Sequence, residues 1–179
     1  MEGWIFSTQE DWDLCSHLVF LYLFGARPNE ALLMTVQDIW IEDGFYWARI
    51  PTLKTKKQKL RPRTLKVRIQ GTPYLDQLAH QVLRLKAYDK KKGEDVALMY
   101  PTKLWHYSFS YYYAKMKGLS HELSAYRFRH NKAYRMAEDK ATAEEMRDWM
   151  GWADLRPASW YIRASGRLAQ SYAERAKVV

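Results

Sequence analysis

Ser124 to Arg163 reads SAYRFRHNKAYRMAEDKATAEEMRDWMGWADLRPASWYIR, and this stretch decides the fold. Its apolar and polar residues recur at helical rather than alternating spacing, which predicts a helix over about 124–139 carrying a basic cluster, Arg127, Arg129 and His130. Thr142-Ala143-Glu144-Glu145 is a capping box, with a hydroxyl and a carboxylate three residues apart, each able to meet the other's backbone amide. It opens a second helix through Met146, Trp149 and Met150, which Gly151 ends. Pro157 suits the first turn of a third, short helix bearing Tyr161.

Outward from this stretch, the N-terminal side is also helical. Ser7-Thr8-Gln9-Glu10 is another capping box. Trp12, Cys15, Val19 and Tyr22, flanked by Leu14, Leu18 and Leu21, predict an apolar stripe on a helix over about 8–24 that Gly25 terminates. Pro28 starts a helix over about 28–34, so Arg27 stands at a helix entrance. Phe45 to Ile50 is aromatic and β-branched, follows an Asp43-Gly44 turn signal, and predicts a strand. Pro51 to Arg63 is strongly basic and predicts an exposed hairpin tip. Thr64 to Ile69 alternates Leu65, Val67 and Ile69 with Lys66 and Arg68, as a half-buried strand does. Beyond it the pattern predicts a helix with Leu75, Leu78, Val82 and Leu85 on one face, an extended segment over 96–100, a tyrosine-rich helix over 106–117, and a last helix over 168–176. The fold class is therefore α+β: mostly helical, with one small antiparallel sheet.

The chain has 179 residues, enough for one domain with a real core. Lys and Arg number 29 against 20 Asp and Glu, a net charge of +9 that favours a polyanionic partner, nucleic acid before an acidic membrane surface. No apolar run approaches the roughly 18 residues of a membrane span. The N-terminus lacks a basic region followed by an apolar core, so no secretory signal is expected. One cysteine, Cys15, excludes an internal disulfide and fits a reducing, cytoplasmic setting. Five scattered histidines show no metal-ligand spacing, which favours chemistry without metal or other cofactor.

Taken together, Arg27 in GARPNEALLMTVQDI, the basic hairpin, Tyr126-Arg127-Phe128-Arg129-His130, Trp152 and Tyr161 resemble the catalytic domain of tyrosine recombinases, the phage and archaeal integrase and Xer family. The resemblance lies in order and spacing, with Tyr161 nine residues after Trp152 and thirty-two after Arg129. It covers about Asp11 to Tyr172. It implies Arg27 and Arg129 as a clamp on the scissile phosphate, Lys54 as the hairpin acid (Lys56 and Lys57 are its rivals), Trp152 where relatives have His or Trp, and Tyr161 as nucleophile. Tyr126 occupies the usual His position, as in some archaeal integrases of viruses or plasmids. A phenol with its ordinary pKa near ~10 is a poor acid or base there, though it can donate to a phosphate oxygen. Lys56, Lys57, Lys59, Arg61, Arg127 and His130 are the DNA-binding candidates. The implied activity is site-specific cutting and rejoining of double-stranded DNA through a covalent 3′-phosphotyrosine, without metal or ATP. A tetrameric synapse, a 168–179 segment that packs on a neighbouring protomer, and a longer integrase of which 1–179 is the catalytic domain are implied too.

Plainer readings stand beside these. Arg27 can be an ordinary surface arginine, the lysine run a solvated face, His130 a structural histidine, and Trp152 one of eight tryptophans in a core. Tyr111-Tyr112-Tyr113 reads as packing, and His121 as a loop residue. Competing functions are an inactive DNA-binding module on the same fold, a type IB topoisomerase-like relaxing enzyme, and an RNA-binding helical domain.

Overall fold

The computed structural model describes residues 9–53, 61–69, 118 and 124–166, with side chains from His17 onward. The first helix, α1 (Gln9–Phe24), ends at Gly25, whose φ of +64° is the left-handed conformation that closes helices without strain in glycine. A Cβ there would also lie 2.8 Å from Lys132 Cγ. The end of α1 is buried around most of its circumference rather than along one stripe: Phe20, Leu21 and Phe24 are fully buried, whereas Tyr22 is only half-buried. The stripe reading was too narrow because both the sheet and a later helix cover α1. Phe20 and Phe24 pack with ring centroids 4.8 Å apart, each side chain worth about 1.5–3 kcal/mol of transfer energy.

Helix α2 (Pro28–Leu32) is followed by a 3-10 turn at Val36–Asp38 and three antiparallel strands. These are β1 (Ile39–Glu42), β2 (Phe45–Ile50) and β3 (Arg63–Arg68), in the order β1-β2-β3. The sequence reading missed β1. Its signal was present: Asp43 and Gly44 both have positive φ, as the two central residues of a tight hairpin turn require, so a strand must precede them. Tyr46, Ala48 and Ile50 face the core while Phe45, Trp47 and Arg49 face outward.

Two expectations for β3 need correction. Ile69 lies past the strand and is exposed, rather than on its buried face. Arg63 is not part of an exposed tip: it opens β3 opposite Ile50, at the same inward register as Leu65, and is buried. The two-residue period of a strand puts 63 and 65 on one face, and a buried carboxylate receives the cation. Arg61 and Pro62 are exposed as expected.

The Ser124–Arg163 stretch forms three helices: α3 (Ala125–Glu138), α4 (Ala143–Met150) and α5 (Arg156–Ala164). Ser124 caps α3 by accepting from the Arg127 amide, and Thr142 with Glu145 forms a complete capping box on α4. Ala133, Ala137, Met146, Met150, Ala158 and Ile162 make a second cluster among these helices, and the alanines of α3 allow close approach. The Ser7 capping box, the helices expected over 72–85, 106–117 and 168–176, the 96–100 segment, His121 and the lysines Lys54, Lys56, Lys57 and Lys59 lie outside the described residues. Among the described residues, no helix is long and apolar enough to cross a membrane.

Candidate active site

The site is built around the C-terminus of α4, where helix geometry leaves the last carbonyls without intrahelical donors. Three consecutive carbonyls there each receive an arginine from a different part of the chain. Arg63 Nε donates to Trp149 O (2.9 Å), Arg129 Nη2 to Met150 O (2.5 Å) and Arg27 Nη2 to Gly151 O (3.3 Å). The negative end of the helix dipole favours cations at this position. Gly151 makes the convergence possible: its φ is +61°, and an added Cβ would sit 2.9 Å from Arg63 Nη1.

Glu30 is the hub. It is fully buried, and among the described residues its carboxylate accepts four hydrogen bonds: from the Arg27 amide (2.9 Å), Arg27 Nη1 (2.6 Å), the Leu53 amide (3.2 Å) and Arg63 Nη2 (2.7 Å). Burial by itself would raise its pKa; Arg63, then Arg27, outweigh that and hold the carboxyl below its ordinary value. The Leu53 bond ties the strand's exit, one residue before Lys54, to the same carboxylate. Arg63 also reaches Thr52 Oγ1 (3.2 Å).

Arg129 is buried without a carboxylate partner among the described residues. Its other bond goes to Gly25 O at 2.8 Å, so it pins the ends of α1 and α4 together. Burial lowers its pKa to about 9, and repulsion from Arg27 adds to the fall while Glu30 opposes it. It remains a cation at neutral pH. Among the described residues, Arg27 and Arg63 thus share the Glu30 carboxylate while Arg129 beside them has none, an excess of positive charge suited to an incoming anion.

Trp152 follows directly, half-buried, with Arg129 Cζ 5.8 Å from its ring centre. The Tyr161 ring lies flat on it, centroids 5.7 Å apart and planes 6° apart, while Tyr134 and Trp160 meet Tyr161 edge-on at 5.1 and 4.8 Å. Tyr161 is 6% exposed, and its hydroxyl hydrogen-bonds His130 Nδ1. Burial raises the phenol's pKa; Arg129 opposes the rise and Tyr134 adds to it. Arg27, Arg129, Trp152 and Tyr161 are therefore brought into one connected site. Tyr126 is 53% exposed on the first turn of α3, and among the described residues no hydrogen bond joins it to Arg129 or Tyr161. Arg127 and Arg61 are exposed.

Residues 5–167 match the model of the phage integrase family. The chain belongs to that family. This agrees with the resemblance read from Arg27, Arg129 and Tyr161, and the mixed helical fold with a small antiparallel sheet is that of recombinase catalytic domains. The XerH site-specific recombinase bound to its difH substrate in a pre-cleavage complex matches with a TM-score of 0.61 at 18% identity, over 88% of this chain and 45% of that one. XerH bound to palindromic difH in a post-cleavage complex gives 0.64 at 16% identity, over 94% and 47%. At these identities the likeness is one of fold, and this phage integrase family chain spans about half the length of the XerH chains. No curated protein matches it in sequence.

Sequence reasoning missed Arg63 and gave Glu30 no role beyond the resemblance. A signal existed for Arg63: counting the alternation of β3 back two residues from Leu65 puts it on the inner face, where a cation needs a buried anion.

Proposed function

We infer that the chain is the catalytic part of a site-specific DNA recombinase that cuts and rejoins strands through a covalent 3′-phosphotyrosine. The observation that carries this is the meeting of Arg27 and Arg129 on the adjacent carbonyls of Gly151 and Met150, with Tyr161 stacked on the next residue, Trp152. Attack on a phosphodiester places added negative charge on its two non-bridging oxygens. A guanidinium has five donors in a planar fork; each arginine commits two of them to the bonds described and keeps others for phosphate. The Trp152 indole N–H can donate to the same oxygens. Tyr161 forms the bond to phosphorus, and the 5′ oxygen leaves with a proton from a hairpin lysine, Lys54 or its rivals Lys56 and Lys57. Storing the bond energy in the phosphotyrosine removes the need for ATP, and the attacking oxygen comes from the chain, so no metal-bound water enters the step.

The partner is double-stranded DNA, bound largely through its phosphates by Lys59, Arg61, Arg127 and neighbouring cations, with strong salt dependence. The two-strand exchange calls for a tetramer on DNA and for a longer protein, of which this is the catalytic domain. The test is a pool of nicked duplexes randomised around the nick. The unchanged chain forms an adduct that survives denaturation, and Tyr161→Phe forms none. Absence of adduct from the unchanged chain instead makes this an inactive DNA-binding module, the reading that the exposed Tyr126 at the usual His position favours.

A further inference from the structure

We propose that the His130 imidazole is the base for the nucleophile, taking the Tyr161 phenolic proton on Nδ1 as the phenol oxygen attacks phosphorus. This rests on the strand-cleavage reading and goes beyond it, since none of the clamp residues accounts for that proton. A neutral phenol is a weak nucleophile, and burial makes it harder to ionise. A positioned acceptor is therefore needed. Among the described residues, His130 is the side chain in hydrogen-bond contact with the Tyr161 hydroxyl. It stands one helical turn after Tyr126 on α3, so the two share a face, and it reaches the hydroxyl while Tyr126 points to solvent. His130 itself is exposed, so a proton it accepts can pass to water.

The surroundings suit this role. The Tyr161 ring is held on one face by Trp152 and at its edges by Tyr134 and Trp160, which leaves the hydroxyl aimed at His130. Among the described residues, the charged and titratable groups acting on Tyr161 are Arg129 and Tyr134, both from α3, with Arg27 acting on Arg129 from the entrance of α2. From the segment after α4 comes Trp152, which does not titrate. Arg129 favours the phenolate, and His130 beside it on the helix receives the proton.

The step balances. A bond forms from Tyr161 Oη to phosphorus; the bond from phosphorus to the 5′ oxygen breaks, its electron pair going to that oxygen. The phenolic proton moves to His130 Nδ1, and the hairpin lysine protonates the leaving oxygen. Rejoining reverses both transfers, His130 returning its proton to the phenol.

The decisive variant is His130→Asn, whose side-chain oxygen can still accept a hydrogen bond but cannot carry the proton away. Adduct formation by the full chain on duplexes enriched from the randomised pool should fall about 10²-fold at neutral pH, the size typical of a lost general base. The remaining rate should climb only as hydroxide removes the proton. Placing sulfur at the 5′ bridging position lets the leaving group depart without a proton. That substitution should rescue a hairpin-lysine variant and leave the His130→Asn defect in place. Reaction within a few-fold of the unchanged chain would reduce His130 to a holding contact and overturn the proposal while strand cleavage stands. Independently of DNA, nitrogen NMR of the free chain should show the neutral His130 ring as the Nε2–H tautomer, with Nδ1 the acceptor; an Nδ1–H tautomer would overturn the base role without touching cleavage. An unchanged chain that gives no adduct at all overturns the cleavage reading, and the base with it.

Discussion

Arg27 and Arg129, the two arginines of the proposed clamp, sit within one site but are held in opposite ways. Arg27 is half-buried and ion-paired with Glu30, which Arg63 grips from the other side. Arg129 is more deeply buried and, among the described residues, its hydrogen-bond partners are the carbonyls of Gly25 and Met150, with its pKa pulled down to about 9 by that burial. A carboxylate fixes geometry and cancels charge; carbonyl dipoles fix geometry and leave most of the charge in place. The Glu30 side thus works as a scaffold, and the Arg129 side as the place where an anion gains most on binding.

The sharpest way to break the scaffold side is Arg63→Met, which leaves Glu30 buried with a lost partner. Urea unfolding should register a loss of about 3–5 kcal/mol, the usual result of removing one member of a buried pair. A loss under about 1 kcal/mol would show that the pair is solvated. On the other side, Arg129→Lys keeps a charge but cannot hold two carbonyls and a phosphate together. Adduct formation should drop about 10²–10³-fold, the scale for a lost donor to developing charge. Gly151→Ala strikes both halves, because the left-handed backbone and the contact with Arg63 Nη1 resist a Cβ; about 1–3 kcal/mol of thermal stability should be lost.

Acid sharpens the contrast further. Glu30 titrates below its ordinary value of 4.5 in the folded chain, so the unfolded chain takes up protons first as pH falls. Its contribution is whole above about pH 4.5 and is lost as pH drops through the folded value. The stability gap between the unchanged chain and Arg63→Met should therefore narrow below about pH 4.5 in unfolding measured across acid pH; a constant gap would mean that Glu30 is not the linked group. The smallest effect is Thr142→Ala, which loosens the start of α4 while leaving its C-terminal carbonyls engaged. Melting should show a cost of about 1 kcal/mol, with cleavage nearly unchanged.

Local chemistry in the sequence determined the helix ends. Ser124, Thr142 with Glu145, Gly25, Gly151, Pro28 and Pro157 start or stop helices through their own backbones and near neighbours, so α1 through α5 were legible one by one. Strand β1 was also written there, in the run before Asp43-Gly44. The integrase resemblance singled out Arg27, Arg129 and Tyr161 by spacing. Of the 29 cations, the β3 alternation could mark Arg63 as inward-facing, but the burial of Arg129 was not legible, because it depends on what packs above that residue. Tertiary structure alone made Glu30 a hub for Arg27, Leu53 and Arg63, and brought three arginines to successive carbonyls. It also laid α5 across α3 so that His130, equally plausible as a structural histidine, meets the Tyr161 hydroxyl. Capping and periodicity act over a few residues; charge compensation and proton transfer act through space between segments that only folding brings together.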